Sequence, residues 1–283
     1  MEDFNEKIKD KISSYEYSHQ LTDEKVGLFF EKLDDFDEQQ DKVHPIINTN
    51  TKRFSFIWKI AASFSLLITI SYGLYRMNDV SITIGNKTAQ QVVLPDGSDV
   101  QLNAGSSLQY NKLAWTLQRK ISLKGEAFFN VQNGEKFTVI SDLGSTEVLG
   151  TSFNIYSREN IYRVKCFSGR VVVSSALKSK LTLLTPGKGI DIEKNREPKK
   201  FVFDENGEKD WRKGEFFFEN NSLKEVFSTL SRQYDVQVVF NPNLENQGYT
   251  GYFDNKDLNK SLKLICEPIG LTYSIRGNIV EIK

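Results

Sequence analysis

The run Phe54 to Tyr75 (FSFIWKIAASFSLLITISYGLY) is 22 residues long and holds one charge, Lys59. As a helix it would reach about 33 Å, enough for a hydrocarbon layer of about 30 Å. It lies too deep in the chain for a cleavable leader, whose apolar core falls within about the first 30 residues. The spacing predicts one permanent membrane span over residues 54–76, the competing reading being a long buried helix of a soluble fold. Ser63, Ser65, Thr69, Ser71 and Gly73 dilute its hydrophobicity. Lys59 is near enough to one end to snorkel, and Trp58, Tyr72 and Tyr75 suit the two interfaces. Lys42, Lys52, Arg53 and Lys59 stand on the N-terminal side, against Arg76 and Lys87 on the other. The positive-inside rule then keeps the N-terminus in the cytoplasm and sends the long C-terminal part into the periplasm.

Residues 1–53 carry eight Lys and Arg against thirteen Asp and Glu, a net charge of −5. Phe4, Ile8, Ile12 and Tyr15 recur at helical spacing, and so do Val26, Phe29, Phe30, Leu33 and Phe36, with Thr22 as a candidate cap. Two short amphipathic helices bury little against each other, and domains below about 40 residues usually need a partner. The second stripe, flanked by Glu31, Asp34, Asp35, Asp37 and Glu38, reads as a docking element for a basic, groove-bearing protein. The other reading, a hairpin lying on the membrane, meets repulsion from anionic lipid.

Over the whole chain 37 basic residues balance 37 acidic ones, so nothing points to direct nucleic-acid binding. The two histidines, His19 and His44, both precede the span. The exported part therefore lacks the imidazole that Ser-His-Asp and Cys-His catalysis and His-based metal sites require. No metal, cofactor or small-molecule substrate is expected. Asp96 and Asp99 read as turn residues. Cys166 and Cys266 could bridge in an oxidising compartment, but each sits in an apolar pattern where a buried thiol is the commoner outcome.

From Ile82 to Ile192 the hydrophobic period is two, in short strands divided by turn signals such as Pro95-Asp96-Gly97, Asn133-Gly134 and Pro186-Gly187. That pattern predicts a mainly β domain, a sandwich or a β-solenoid-like sheet. From Phe216 onward strands and helical stripes alternate in the order βαβ-βαββ, with Ser222 capping the first helix and a hairpin turning at Arg276-Gly277-Asn278. This predicts a small α+β domain with its helices on one side of a sheet. Glu193 to Lys200 and Asp204 to Lys213 are charged and read as linker. The expected division is a helical arm over 1–53, the span over 54–76, the β domain over 80–195, a linker over 196–213 and the α+β domain over 214–283.

The segments VVLPDGSDVQLNAGSSLQY (92–110), ISLKGEAFFNV (121–131), FTV (137–139), VLGTSFNIY (148–156), FSGRVVV (167–173) and LTPG (184–187) resemble, in order, the FecR family of anti-sigma regulators. The last 68 residues resemble the C-terminal domain appended to many of its members, which is similar to the secretin and TonB short N-terminal fold. The resemblance implies an anti-sigma factor of the inner membrane. Its cytoplasmic arm would bind an extracytoplasmic-function sigma factor, here through Val26, Phe29, Phe30, Leu33 and Phe36. Its periplasmic part would sense a TonB-dependent outer-membrane transducer and relay the signal by stepwise proteolysis. The N-terminal 53 residues carry no motif of the family, so sigma binding there follows from membrane order and helix physics. The resemblance also maps a self-cleavage bond, broken in some relatives by an N-to-O acyl shift, onto Gly150-Thr151. The plain reading of that pair is a glycine that bends a strand beside an ordinary β-residue. The chain is otherwise expected not to be an enzyme. The rival functional class is a membrane-tethered periplasmic scaffold or glycan-binding module, which exposed aromatic platforms on the β domain would favour.

Overall fold

The structure, a computed structural model, describes residues 51–283 except 177–180, 195 and 205–209, with side chains from residue 58. The apolar run forms helix α1 (Thr51–Met77), longer at its start than the run itself. Phe64, Leu66, Leu67 and Ile68 point in different directions around its axis, yet each is at least 60% exposed. A surface helix of a soluble fold would hide one stripe. From residue 58 onward this one hides none, and Trp58–Met77 is long and apolar enough to cross a membrane.

One residue, Asn78, separates α1 from the first strand. The strands β1 (Asp79–Thr83), β2 (Gln90–Val93), β3 (Asp99–Leu102) and β4 (Ser107–Asn111) lead to a one-turn helix α2 (Lys112–Trp115) and the long β5 (Arg119–Asn130). Then follow β6 (Phe137–Ser141), β7 (Gly144–Val148), β8 (Ser152–Arg158), β9 (Ile161–Cys166), β10 (Val171–Ser175), β11 (Leu181–Leu184), β12 (Lys188–Glu193) and β13 (Lys199–Val202). All thirteen belong to one hydrogen-bonded sheet that curls over a single core, and β5 is the hinge of the curl. Its first half pairs with β4 and with β6, the latter in parallel; its second half pairs with β3 and β8. The two layers are thus β1-β4-β5-β6-β7-β10-β11 and β2-β3-β5-β8-β9-β12-β13.

Gly125 marks the change of partner, at φ +106°. A Cβ there would lie 2.7 Å from the Ser106 Cα, and the Ser106 hydroxyl bridges the backbone N–H and C=O of Glu126 at 3.0 Å each. Only glycine fits a left-handed residue under so close an approach. On either side of it the strict alternation continues, with Ile121, Leu123, Ala127 and Phe129 inward. Of these, the Ile, Leu and Phe side chains contribute about 1.5–3 kcal/mol each when fully buried. The layers are also joined through the core, where the hydroxyls of Thr146 (β7) and Tyr162 (β9) lie 2.6 Å apart.

The second domain comprises β14 (Glu215–Ser222), α3 (Leu223–Tyr234), β15 (Gln237–Val239), β16 (Gly248–Asp254), α4 (Leu258–Cys266), β17 (Tyr273–Arg276) and β18 (Ile279–Ile282). The order βαβ-βαββ is the expected one, and the Ser222 hydroxyl caps α3 at Glu225 N. The strands do not form one sheet, however. β14 pairs with β16 alone, whereas β18 joins β15 in parallel and β17 antiparallel. Helix α3 touches both sheets, so it has apolar neighbours on two sides rather than one. Part of the stretch expected as linker is also ordered. β13 lies within it and pairs with β12, its lysines guarding the outer edge of the sheet. Cys166 is buried in the first core and Cys266 in the second, and they do not bridge.

Candidate functional site

The outer face of the β2-to-β13 layer should meet water, and the sequence places polar residues on it. The strand registers arrange them in two transverse rows. One row runs Lys199, Asp191, Arg163, Tyr156, Glu126. The next runs Phe201, Gly189, Lys165, Asn154, Phe128. Instead of facing solvent, Asn154 is 8% and Tyr156 6% exposed, because the second domain lies across them.

The cover comes from a second face of α3. Val226 and Leu230 point into the core of their own domain, while Glu225, Thr229 and Gln233 repeat every four residues along another stripe that is also buried. Glu225 pairs with Arg163 at 2.8 Å, and Arg163 reaches Asp191 at 2.6 Å. Gln233 Nε2 donates to Asn103 Oδ1 at 2.9 Å, and Asn103 in turn donates to Glu126. Arg232 pairs with Glu159 at 2.6 Å, and the Tyr156 hydroxyl donates to the same carboxylate. From the other row, Asn154 Oδ1 accepts from Trp211 Nε1 at 3.0 Å, and the Arg212 guanidinium lies 3.7 Å above the Phe128 ring. A cavity of about 130 Å³ remains in the seam, lined in part by Arg163, Arg212, Phe217 and Glu225.

The electrostatics follow from this packing. Burial alone would depress the Arg163 guanidinium, but Glu225 and Asp191 more than reverse it and hold the group above the ordinary arginine value. Burial, then Glu225 and Glu159, push the Tyr156 phenol well above its usual range, so it stays a donor. A seam of this kind is sensitive to partial loss, since a charge stranded in it keeps its desolvation penalty.

Gly150 and Thr151 immediately precede β8, the strand that carries Asn154 and Tyr156 into the seam. Thr151 is 3% exposed, and its hydroxyl donates to Arg170 O at 3.1 Å. Its backbone pairs with Val131 in both directions, at 3.0 and 3.3 Å. The Asn133 side chain presses on Gly150, where a Cβ would lie 1.7 Å from Asn133 Oδ1. Gly169, at φ +71°, packs against both Gly150 O and Thr151 Oγ1. Asp96 does serve a turn, accepting from Ser98 N and Oγ, and also pairs with Arg119 at 2.9 Å. Val26, Phe29, Phe30, Leu33 and Phe36 lie outside the described residues. Among the described residues no three His, Cys, Asp or Glu side chains converge on a point.

The aromatic side chains of the outer face do not form an open platform. Phe128, Phe167 and Phe203 pack edge-to-face at 5.4 and 5.0 Å, with Arg212 over the first and Lys165 over the last. A stacked sugar ring needs free flat faces, and here a cation lies over one face of Phe128 and one of Phe203.

Two family models match the chain, that of the FecR protein over residues 80–172 and that of the FecR C-terminal region over residues 215–282. Together they take in more than half of its length. The chain belongs to the FecR family. Two crystal structures of a candidate anti-sigma factor from Parabacteroides distasonis, at 2.50 and 1.65 Å, are similar to this FecR-family chain. Each is 28% identical with a TM-score of 0.67, over 72% of this chain and 98% of the other. No curated protein matches significantly.

If the Arg163–Glu225 pair holds the seam, Arg163→Met alone, which strands the buried Glu225, should cost about 3 kcal/mol, and Arg163→Met/Glu225→Leu should regain most of it. Chemical denaturation of the detergent-solubilised chain checks both. A neutral single substitution would show that the pair carries no weight.

Proposed function

We propose that the chain is a single-span anti-sigma regulator of the inner membrane. Residues 1–53 stay in the cytoplasm and hold an extracytoplasmic-function sigma factor through Val26, Phe29, Phe30, Leu33 and Phe36. The span over 54–76 connects them to a periplasmic body of two domains, beginning at about residues 80 and 214. There the C-terminal domain meets the signalling domain of a TonB-dependent outer-membrane transducer. The observation that carries this reading is the joining of a FecR-family body to a long, largely apolar helix whose described side chains are all exposed. The description of the similar structures as a candidate anti-sigma factor supports the same role. The scaffold or glycan-binding alternative loses its motive where the aromatic rings are packed against each other and capped by cations.

Self-cleavage at Gly150-Thr151 would require the Thr151 oxygen to attack the Gly150 carbonyl carbon, breaking the C–N bond to leave an ester that water then hydrolyses. The Thr151 hydroxyl is instead engaged with the Arg170 carbonyl as a cross-strand tie, which favours an intact bond.

Two outcomes follow. The tagged full chain should co-purify with a sigma factor, and deletion of residues 1–50 should abolish both that association and transcriptional control. Retention of the sigma factor by the deleted chain would place binding elsewhere. On a denaturing gel the full chain should run as one band near 32.4 kDa, unchanged in Thr151→Ala. Two fragments that merge into one band in Thr151→Ala would establish the cleavage instead.

A further inference from the structure

One side chain, Asn111, bonds both the exit of α1 and the start of the next strand and helix. Asn111, the last residue of β4, donates through Nδ2 to Tyr75 O at 2.7 Å and to Asp79 at 2.7 Å, while its Oδ1 accepts from Ala114 N at 2.9 Å. The same amide therefore holds the last turn of α1 and starts α2. Lys112 N donates to Asn78 O at 2.9 Å, a second tie between α2 and the helix exit. Trp115 then pins α2 to the core, 6% exposed and edge-to-face with Tyr110 and Phe137. With Trp115 turned inward, Leu113 and Leu117 turn outward. They are 54% and 87% exposed, four residues apart, and Leu117 N closes the turn onto Ala114 O.

Two leucines held in the open by a buried tryptophan call for an occupant. They are far smaller than a stable protein interface, which takes about 800 Å² from each side. Their place decides the matter. Leu113 directly follows Lys112, whose N–H bonds Asn78 O at the exit of α1, and Met77 at that exit is 82% exposed. Lys112 and Lys120, exposed and flanking the two leucines in the chain, match phosphate headgroups, while Arg76 is paired with Asp79 at 3.1 Å. The exit of α1 is thus followed by an apolar knob of two exposed leucines, with lysines flanking it in the chain.

We propose that Leu113 and Leu117 insert into the bilayer surface beside the span, so that the β body is anchored at two points and not one. This rests on the proposed span. Side chains of such an element reach about 5–10 Å into the headgroup and acyl boundary. A second anchor fixes the tilt and rotation of the body on the membrane, which a lone span would leave free.

The test uses the full chain in nanodiscs of mixed neutral and anionic lipid, with a nitroxide placed singly at Leu67→Cys, Leu117→Cys and Lys263→Cys. All three positions are exposed, and the two native cysteines are buried, the Cys266 thiol pushed up to about 11 by burial, so they escape labelling at neutral pH. Collision with oxygen reports lipid, and collision with a water-soluble nickel chelate reports solvent. The expected result is Leu67 in lipid, Lys263 in water, and Leu117 shielded from nickel and accessible to oxygen. A label at Leu117 as open to nickel as Lys263, with Leu67 still in lipid, overturns the knob and leaves the span standing. A label at Leu67 open to nickel overturns the span, and the knob with it.

Discussion

Everything in the body of this protein is referred to one short junction. Helix α1 ends at Met77 and β1 begins at Asp79, with only Asn78 between them. Orphan carbonyls at a helix end must find donors. Here Asn78 Nδ2 reaches Leu74 O at 2.8 Å and Asn111 Nδ2 reaches Tyr75 O, so the end of the helix is closed by the sheet it feeds. A glycine-rich linker at this point would let the body turn without moving the helix. The observed junction does not, because the strand pairing of Asp79 with Asn111 begins where the helix stops.

From that junction the packing is continuous to the far domain. β1 pairs with β4, β4 with β5, and β5 with β8. β8 pairs with β9, whose Arg163 holds Glu225 of α3. Residues 66–283 accordingly cluster as a single compact unit despite the two cores within it. In the proposed role this matters because a partner that grips the C-terminal domain pulls on a connected path of hydrogen bonds and ion pairs. Arg163, Glu225, Arg232 and Glu159 are paired and largely out of water, so separating one partner from the other is costly.

Much of this was legible in the chain. The apolar run announced a helix that could cross a membrane, period-two alternation announced the sheet, and the βαβ-βαββ order and the Ser222 cap were readable from spacing. What was hidden shares one cause. A polar residue on a strand or helix reads as solvent-facing, yet Glu225, Thr229 and Gln233 are buried against Asn103, Arg163 and Tyr156 of another domain. Periodicity separates apolar from polar faces and carries no mark of a polar face that is matched elsewhere. β13 was hidden likewise, since the lysines that protect an edge strand remove the β-branched pattern by which a strand is recognised. The division of the last five strands into two sheets depends on which edges pair, and hairpin spacing fixes only the neighbour β17–β18. Gly150-Thr151 was found through a resemblance; the press of Asn133 on Gly150 explains the glycine without requiring a reaction.

The account stands on the acidic arm and the strand-built body being on opposite sides of a membrane. Fusions to the full span test this most directly, with a fluorescent protein ahead of residue 1 and alkaline phosphatase after residue 80, the latter active only where disulfides form. The predicted result is fluorescence from the first and phosphatase activity from the second. An inactive phosphatase, produced at the same level but retained in the cytoplasm, would contradict the account.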